Sequence, residues 1–182
     1  RIKSREWKKN NKDKNKFITK NWKDNNRKHL SNYNSDYHQE NKEQLSVNRK
    51  VRMDNNESFK ISLKYRNKTR DFYKGNLKTF TEIGCSREFL IEWFKFNNPE
   101  LTRDNYGYSG WHIDHFIPCY SFDLTNNNEL ERCFHWTNTQ PIYSKNNFSK
   151  GNRITDNEKQ IHNNKIIEFC KVKNISLPEI IL

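Results

Sequence analysis

An adjacent Asp–His pair lies in the part of the sequence with the most chemical potential, between Trp111 and Gly151. Asp114 and His115 end an alternating apolar run that begins at Trp111, a pattern typical of a β-strand entering a loop. A carboxylate in such a place can hold a hard divalent cation, and the neighbouring imidazole can take a proton from water. Alone, the pair is a weak signal, because most Asp–His dipeptides are ordinary surface pairs.

Two asparagines downstream extend this candidate site. Asn138 precedes a second short strand, predicted at 139–142, and Asn147 lies in a helical stretch that reaches Gly151. An asparagine side chain can fix a loop through hydrogen bonds to the backbone, or it can offer its amide oxygen to a metal. Two strands and a helix, with Asp–His on the first element and Asn on the last, predict a compact one-metal site.

The same stretch resembles the HNH endonuclease motif, in the form carried by phage, intron-encoded and large-DNA-virus proteins. The resemblance covers residues 80–152, through Gly84-Cys85-Ser86, Trp111 to Pro118, Phe122, Cys133 to Pro141, Asn147 and Lys150-Gly151. Several blocks in the right order make it more specific than a single short motif. It implies a ββα-metal core that hydrolyses phosphodiester bonds of DNA, and an intron-encoded homing role is plausible only through the family.

The resemblance implies a role for each residue of the site. His115 is expected to be the general base, and Asn138 is expected to pin the loop that presents it. Asp114 and Asn147 are expected to hold the catalytic divalent metal, Mg²⁺ or in its place Mn²⁺ or another divalent cation. Accessory contacts to the metal or to the scissile strand are expected from His112, Gln140 and Lys150.

The four cysteines are Cys85, Cys119, Cys133 and Cys170, and they form no CxxC pair. Wide spacing in a chain of this size favours free thiols in a reducing compartment over a disulfide scaffold. Because many HNH proteins bind a structural zinc through two CxxC pairs, no structural zinc is expected here. A zinc site built from Cys119, Cys133 and nearby histidines is the weaker alternative.

Charge is segregated along the 182 residues, whose formal net charge is +12. Residues 1–80 carry 23 Lys and Arg against 9 Asp and Glu, whereas residues 81–182 carry 11 against 13. Such segregation is typical of a polyanion binder, and a solvated lysine-rich tail is the plainer reading. Duplex DNA is the expected partner, with RNA an open alternative. The expected nucleic-acid-binding residues are Lys8, Lys9, Lys12, Lys16, Lys20, Lys23, Arg27, Lys28, Arg49, Lys50 and Arg52.

Three segments of the basic arm, 11–25, 26–40 and 41–55, align at a fifteen-residue period. Fifteen residues are close to four helical turns, so equivalent residues return to nearly the same face. We therefore predict one or two long helices over residues 5–52.

The expected organisation is a basic helical arm at 1–56, a helical connector at 57–98, the HNH core at 99–153 with a helical insertion near 127–134, and a C-terminal helix and tail at 154–182. The expected fold class is α+β, mainly helical.

Neither a long apolar segment nor a signal-peptide pattern is present, which favours an intracellular or virion location over a membrane or secreted one. A single site of this kind cuts one DNA strand, so a double-strand cut would require a homodimer or two binding events. The alternative from another functional class is a nucleic-acid-binding or virion-associated protein that keeps the HNH scaffold without cleaving.

Overall fold

The structure is a computed structural model that describes residues 6–7, 9–107 and 110–179. The chain is mainly helical, and its described part contains one antiparallel sheet of two strands, which confirms the α+β, mainly helical class. It divides into two compact units between Arg52 and Met53. The connector, core and C-terminal helix, predicted as separate segments, therefore lie in one unit.

The first unit contains helices of fourteen residues each within the described residues 12–52, and the last of them runs on to Asn55. They are α1 (Lys12–Asn25), α2 (Arg27–Glu40) and α3 (Lys42–Asn55). The prediction of one or two long helices was therefore wrong, because the helical conformation is interrupted at Asn26 and again at Asn41. Their φ/ψ angles of −109°/19° and −102°/9° lie outside the α-helical region.

The second unit begins its helical part with α4 (Glu57–Lys74) and α5 (Arg87–Asn97). The side chain of Asn56 caps α4 by accepting a hydrogen bond from Phe59 N, and Gly75 ends α4 at a φ of 80°. That left-handed residue stops the helix. Ser86 caps α5, since its side chain accepts from Phe89 N.

Two strands carry the predicted site. Strand β1 (Trp111–His115) pairs antiparallel with β2 (Thr139–Tyr143), with Asp114 opposite Gln140 and His115 opposite Thr139. Helix α6 (Asn127–Phe134) is the predicted insertion, α7 (Ser144–Lys150) follows β2 directly, and α8 (Asp156–Lys173) is the predicted C-terminal helix.

Aromatic side chains hold the second unit together. Trp93 and Trp111 are fully buried, and their indole nitrogens donate to the carbonyl oxygens of Thr139 (2.8 Å) and Thr102 (2.7 Å). These bonds satisfy the polar end of each ring inside the core. The first of them ties α5 to the start of β2, so the core fixes the strand that lies beside the candidate site.

Helix α8 braces the loop that follows β1. His162 of α8 stacks on Phe116 with ring centroids 4.1 Å apart, and its Nε2 lies 2.6 Å from the Thr137 carbonyl oxygen. Phe116, the residue immediately after His115, is thus packed against α8. In the part of the chain that the structure describes, no helix combines the length and the apolar character needed to cross a lipid bilayer.

Candidate active site

A cleft of about 520 Å³ lies beside the end of β1. Four residues singled out from the sequence line it together: His112, Asp114, His115 and Asn147. Gln140 and Lys150 instead line a second cleft of about 430 Å³. Asn138 is fully buried beneath the loop that carries His115.

His115 is the last residue of β1 and is only 6% exposed. Its ring meets that of Phe134 edge-on, with centroids 4.9 Å apart. Its Nε2 atom is buried and has no hydrogen-bond partner among the described residues. A buried polar atom without a hydrogen bond lowers the stability of the fold, and a catalytic role is one explanation for such an atom. The imidazole is thus packed in one orientation while it lines the cleft.

Asn138 fixes the backbone that follows His115. Its Oδ1 accepts from Ile117 N at 2.7 Å, and its Nδ2 donates to the carbonyl oxygens of Ile117 (3.1 Å) and Cys133 (2.8 Å). Its own carbonyl oxygen accepts from Phe116 N at 2.7 Å. Every polar atom of this fully buried amide therefore makes a hydrogen bond, and these bonds restrict the loop after His115 to one backbone conformation.

Asp114 is held by two neighbours that the sequence had suggested for the scissile strand. Lys150 Nζ lies 2.6 Å from Asp114 Oδ2, and Gln140 Nε2 donates to the same oxygen at 3.1 Å. The Lys150 side chain is only 13% exposed and also donates to the carbonyl oxygens of His115 and Phe116. Lys150 is therefore an ordered part of the site rather than a solvated lysine.

Asn147 and His112 face each other across the cleft wall. Asn147 lies on α7 and His112 on β1, two residues before Asp114 on the same face of the strand. Asn147 Nδ2 lies 3.4 Å from His112 Nδ1. If the amide nitrogen of Asn147 donates to His112, the amide oxygen of Asn147 is available to bind another ligand.

The donor chemistry of the cleft suits a hard cation. Asp114 offers a carboxylate and Asn147 an amide oxygen, which are ligands that Mg²⁺ and Mn²⁺ accept, with water and phosphate oxygens completing the shell. Among the described residues no group of three or more His, Cys, Asp or Glu side chains could hold a metal ion. A cation bound here would therefore depend on two protein ligands.

Cys119 and Cys133 lie against each other beside His115. All four cysteines are free thiols. A hydrogen bond with Cys119, together with burial, raises the pKa of the Cys133 thiol. The same hydrogen bond lowers the pKa of the Cys119 thiol, and both side chains belong to the apolar core of the second unit.

Two arginines of α4 also line the cleft, and sequence reasoning missed them. Arg66 and Arg70 lie one helical turn apart, with Asn67 between them, and share the cleft with Asp114 and His115. Their i, i+4 spacing puts both on one face of a helix. That spacing was the available signal, but residues 57–98 were interpreted as a connector only.

The basic residues expected to bind nucleic acid lie on α1, α2 and α3 or next to them, and all that the structure describes are exposed: Lys9, Lys12, Lys16, Lys20, Lys23, Arg27, Lys28, Arg49, Lys50 and Arg52. Lys8 lies outside the described residues. The arm therefore presents its positive charge to solvent.

Comparison with known proteins places the chain beside viral sequences. It is 34% identical over 125 residues to uncharacterized protein L246 of Acanthamoeba polyphaga mimivirus, which is 67% of this chain and 55% of that protein. It is 37% identical over 100 residues to uncharacterized protein L426 of the same virus, which is 54% of this chain and 44% of that protein. The chain thus spans about half the length of the curated relatives it matches. No family model and no solved structure matches it.

Proposed function

We propose that the chain is a metal-dependent HNH endonuclease that hydrolyses phosphodiester bonds of DNA. The observation that carries this proposal is the meeting of His115, Asp114 and Asn147 in one cleft, with Asn138 holding the loop after His115. A protein that only binds nucleic acid needs no such set. The chain order of β1, β2 and α7 also agrees with the ββα-metal core that the sequence motif implies.

In this proposal the residues divide the work of hydrolysis. His115 takes the proton from the attacking water, and its packing against Phe134 limits the ring to one orientation. Asp114 and Asn147 would hold the divalent cation through carboxylate and amide oxygens. A bound cation would supply the positive charge that stabilises the phosphate and the leaving 3′ oxygen, which side chains alone supply weakly. Lys150 keeps the Asp114 carboxylate and the backbone of His115 and Phe116 in place.

A plasmid-nicking assay tests the proposal. We expect nicking of supercoiled DNA in Mg²⁺ or Mn²⁺, no nicking in EDTA, and loss of nicking in His115→Ala. Asn147→Ala should nick more slowly and need a higher metal concentration for its remaining activity. Asn146→Ala, at an exposed position of the same helix, should nick like the unchanged chain. Cleavage that survives His115→Ala would mean that the site is wrongly placed, and parallel reactions with duplex RNA would test the alternative substrate.

One contact favours the competing function, a nucleic-acid-binding protein on the same scaffold. Asp114 already has a cationic partner, because Lys150 Nζ lies 2.6 Å from its Oδ2. If that ion pair excludes a metal, the chain binds DNA without cutting it. Binding without cleavage in any divalent metal, and no Mn²⁺ binding by the intact chain, would establish this second function and overturn the first.

A further inference from the structure

The arm repeats one structural unit every fifteen residues. Asn11, Asn26 and Asn41 each follow an aromatic residue by one turn, and each donates its Nδ2 to that residue's carbonyl oxygen, at 3.0, 2.8 and 2.8 Å. The acceptors are Trp7, Trp22 and Tyr37. The backbone nitrogen of each asparagine bonds to the same carbonyl. The sequence repeat is therefore a repeat of geometry.

The next step of the register is also asparagine. Asn56 lies fifteen residues after Asn41, and its side chain caps α4. At each of these positions an asparagine amide bonds to nearby backbone and interrupts or starts a helix, as short polar side chains do. The period thus marks the ends of successive helices rather than a composition bias.

The first two repeats, residues 11–25 and 26–40, present an apolar stripe to solvent. When the asparagine of each repeat is counted as position 1, positions 1, 5, 8 and 12 fall within an arc of about 60° around the helix, at 100° per residue. These positions include Ile18, Trp22, Tyr33 and Tyr37, which are between 46% and 61% exposed. None of the described residues of α1, α2 and α3 is buried. The stripe is therefore a surface without a partner inside its unit.

A cationic stripe runs beside the apolar one. Positions 2, 6, 9, 10 and 13 of the repeats occupy the neighbouring arc and contain no Asp or Glu between residues 11 and 55. The residue directly after each asparagine is basic in all three repeats. The cations of this stripe are Lys12, Lys16, Lys20, Lys23, Arg27, Lys42, Arg49 and Lys50. The acidic residues of these repeats lie at other positions.

The charge and the repeat length of the arm suit duplex DNA. Each repeat rises about 22 Å, which equals about six base pairs at about 3.4 Å each. Residues 1–52 carry 16 Lys and Arg against 6 Asp and Glu. This charge complements a phosphate backbone and opposes the approach of a second copy.

We propose that the fifteen-residue repeats form a periodic docking surface for duplex DNA, in which the cationic stripe of all three repeats and the aromatic residues of the first two face the duplex. The choice of DNA rests on the proposed nuclease function. The number of repeats then sets the length of DNA that the arm covers.

Removal of the second repeat separates this surface from a charged tail. Residues 26–40 carry two cations, Arg27 and Lys28, and two anions, Asp36 and Glu40, so their deletion leaves the net charge unchanged. We expect the deletion to shorten the footprint by about six base pairs and to lower the salt slope of binding by about one, because Arg27 is the cation that this repeat contributes to the stripe. A tail that acts through its net charge would change neither quantity.

The measurement uses the full chain with the His115→Ala substitution, in EDTA, with footprinting and salt titration on a long duplex. The double variant Asn26→Ala/Asn41→Ala should gain helicity by circular dichroism, because alanine favours a continuous helix, yet lose affinity. A merely structural role of the asparagines would lower helicity and affinity together.

Three outcomes would overturn the inference: an unchanged footprint after the deletion, unchanged affinity in the double variant, or sedimentation of the intact chain as an oligomer that the deletion dissociates. The last would assign the apolar stripe to a second copy. Failure of the nuclease proposal looks different, since a chain with a repeat-dependent footprint that never cuts would keep this inference and lose the enzymatic one.

Discussion

At the scale of single residues, the candidate site depends most on an amide that never meets solvent. Asn138 is fully buried, and its side chain holds the backbone of Ile117 and Cys133. Its value lies in the position that it gives to His115, because its side chain bonds to Ile117, two residues further along the loop. A residue of this kind acts on stability and on the proposed chemistry at once.

Asn138→Ala should lower the free energy of unfolding by about 3 kcal/mol, because it leaves buried backbone groups of Ile117 and Cys133 unpaired. Urea unfolding of the purified variant measures this directly. Asn146→Ala, at an exposed position of α7, is the control and should change the free energy by less than about 0.5 kcal/mol. A fall of similar size in both variants would show that the bonds of Asn138 are not special.

Arg66 and Arg70 extend the proposed site beyond the motif, since both residues line the cleft that His115 also lines. We expect Arg66→Gln and Arg70→Gln each to raise the KM for DNA about tenfold, as lost phosphate contacts do. The matched control is Lys64→Gln, an exposed cation of the same helix away from this cleft. An equal effect of all three substitutions would assign the loss to overall charge.

The site residues that the sequence predicts lie within one local motif, whereas those that it does not predict are brought to the site by tertiary packing. Asp114, His115, Asn138 and Asn147 were identified because the motif keeps them within one stretch of sequence. The pairing of Asp114 with Gln140 and Lys150 was not, because it follows from the strand register and from the path of α7. Arg66 was missed for the same reason, since only tertiary packing brings α4 to the cleft.

At the scale of elements, the helices of the second unit were largely predictable and those of the arm were not. Ser86 marks the start of α5, and the apolar spacing of residues 154–173 marks α8. In the arm, the repeat was visible but its interruptions were not. An asparagine lowers helix propensity by less than about 1 kcal/mol. The break depends instead on its bond to the carbonyl four residues earlier.

Helix α8 gives the fold a dependence on pH through His162. Burial lowers the pKa of His162 to about 4, while its Nε2 contacts the Thr137 carbonyl oxygen. The unfolded chain, with an ordinary histidine pKa near 6.5, takes up the proton first as the pH falls. The contribution of His162 to stability is therefore complete above about pH 6.5 and is lost as the pH falls towards 4.

Urea unfolding at pH 7 and pH 5 should therefore show a smaller loss of stability in His162→Gln than in the unchanged chain. The difference between the two proteins isolates His162 from the other groups that titrate in this range, among them His135, whose pKa burial also lowers to about 4. We expect this difference to be about 2 kcal/mol at pH 5. Parallel losses in the two proteins would contradict the assignment.

At the scale of the whole molecule, charge and the proposed chemistry lie in different parts of the sequence. Residues 1–80 have a net charge of +14, and residues 81–182 have a net charge of −2. Because residues 81–182 contain all of the motif and are nearly neutral, affinity for DNA should come mainly from the arm and α4. Binding and cleavage should then respond differently to salt.

Between 50 and 200 mM salt we expect the KM for a long duplex to rise by about a thousandfold, as it does for about six released phosphate contacts, while kcat changes little. Saturating DNA makes kcat report on His115 and its neighbours, and His115 itself is buried and therefore poorly screened. Steady-state nicking at several salt concentrations separates the two constants. A kcat that falls together with affinity would mean that the arm takes part in the chemical step as well as in binding.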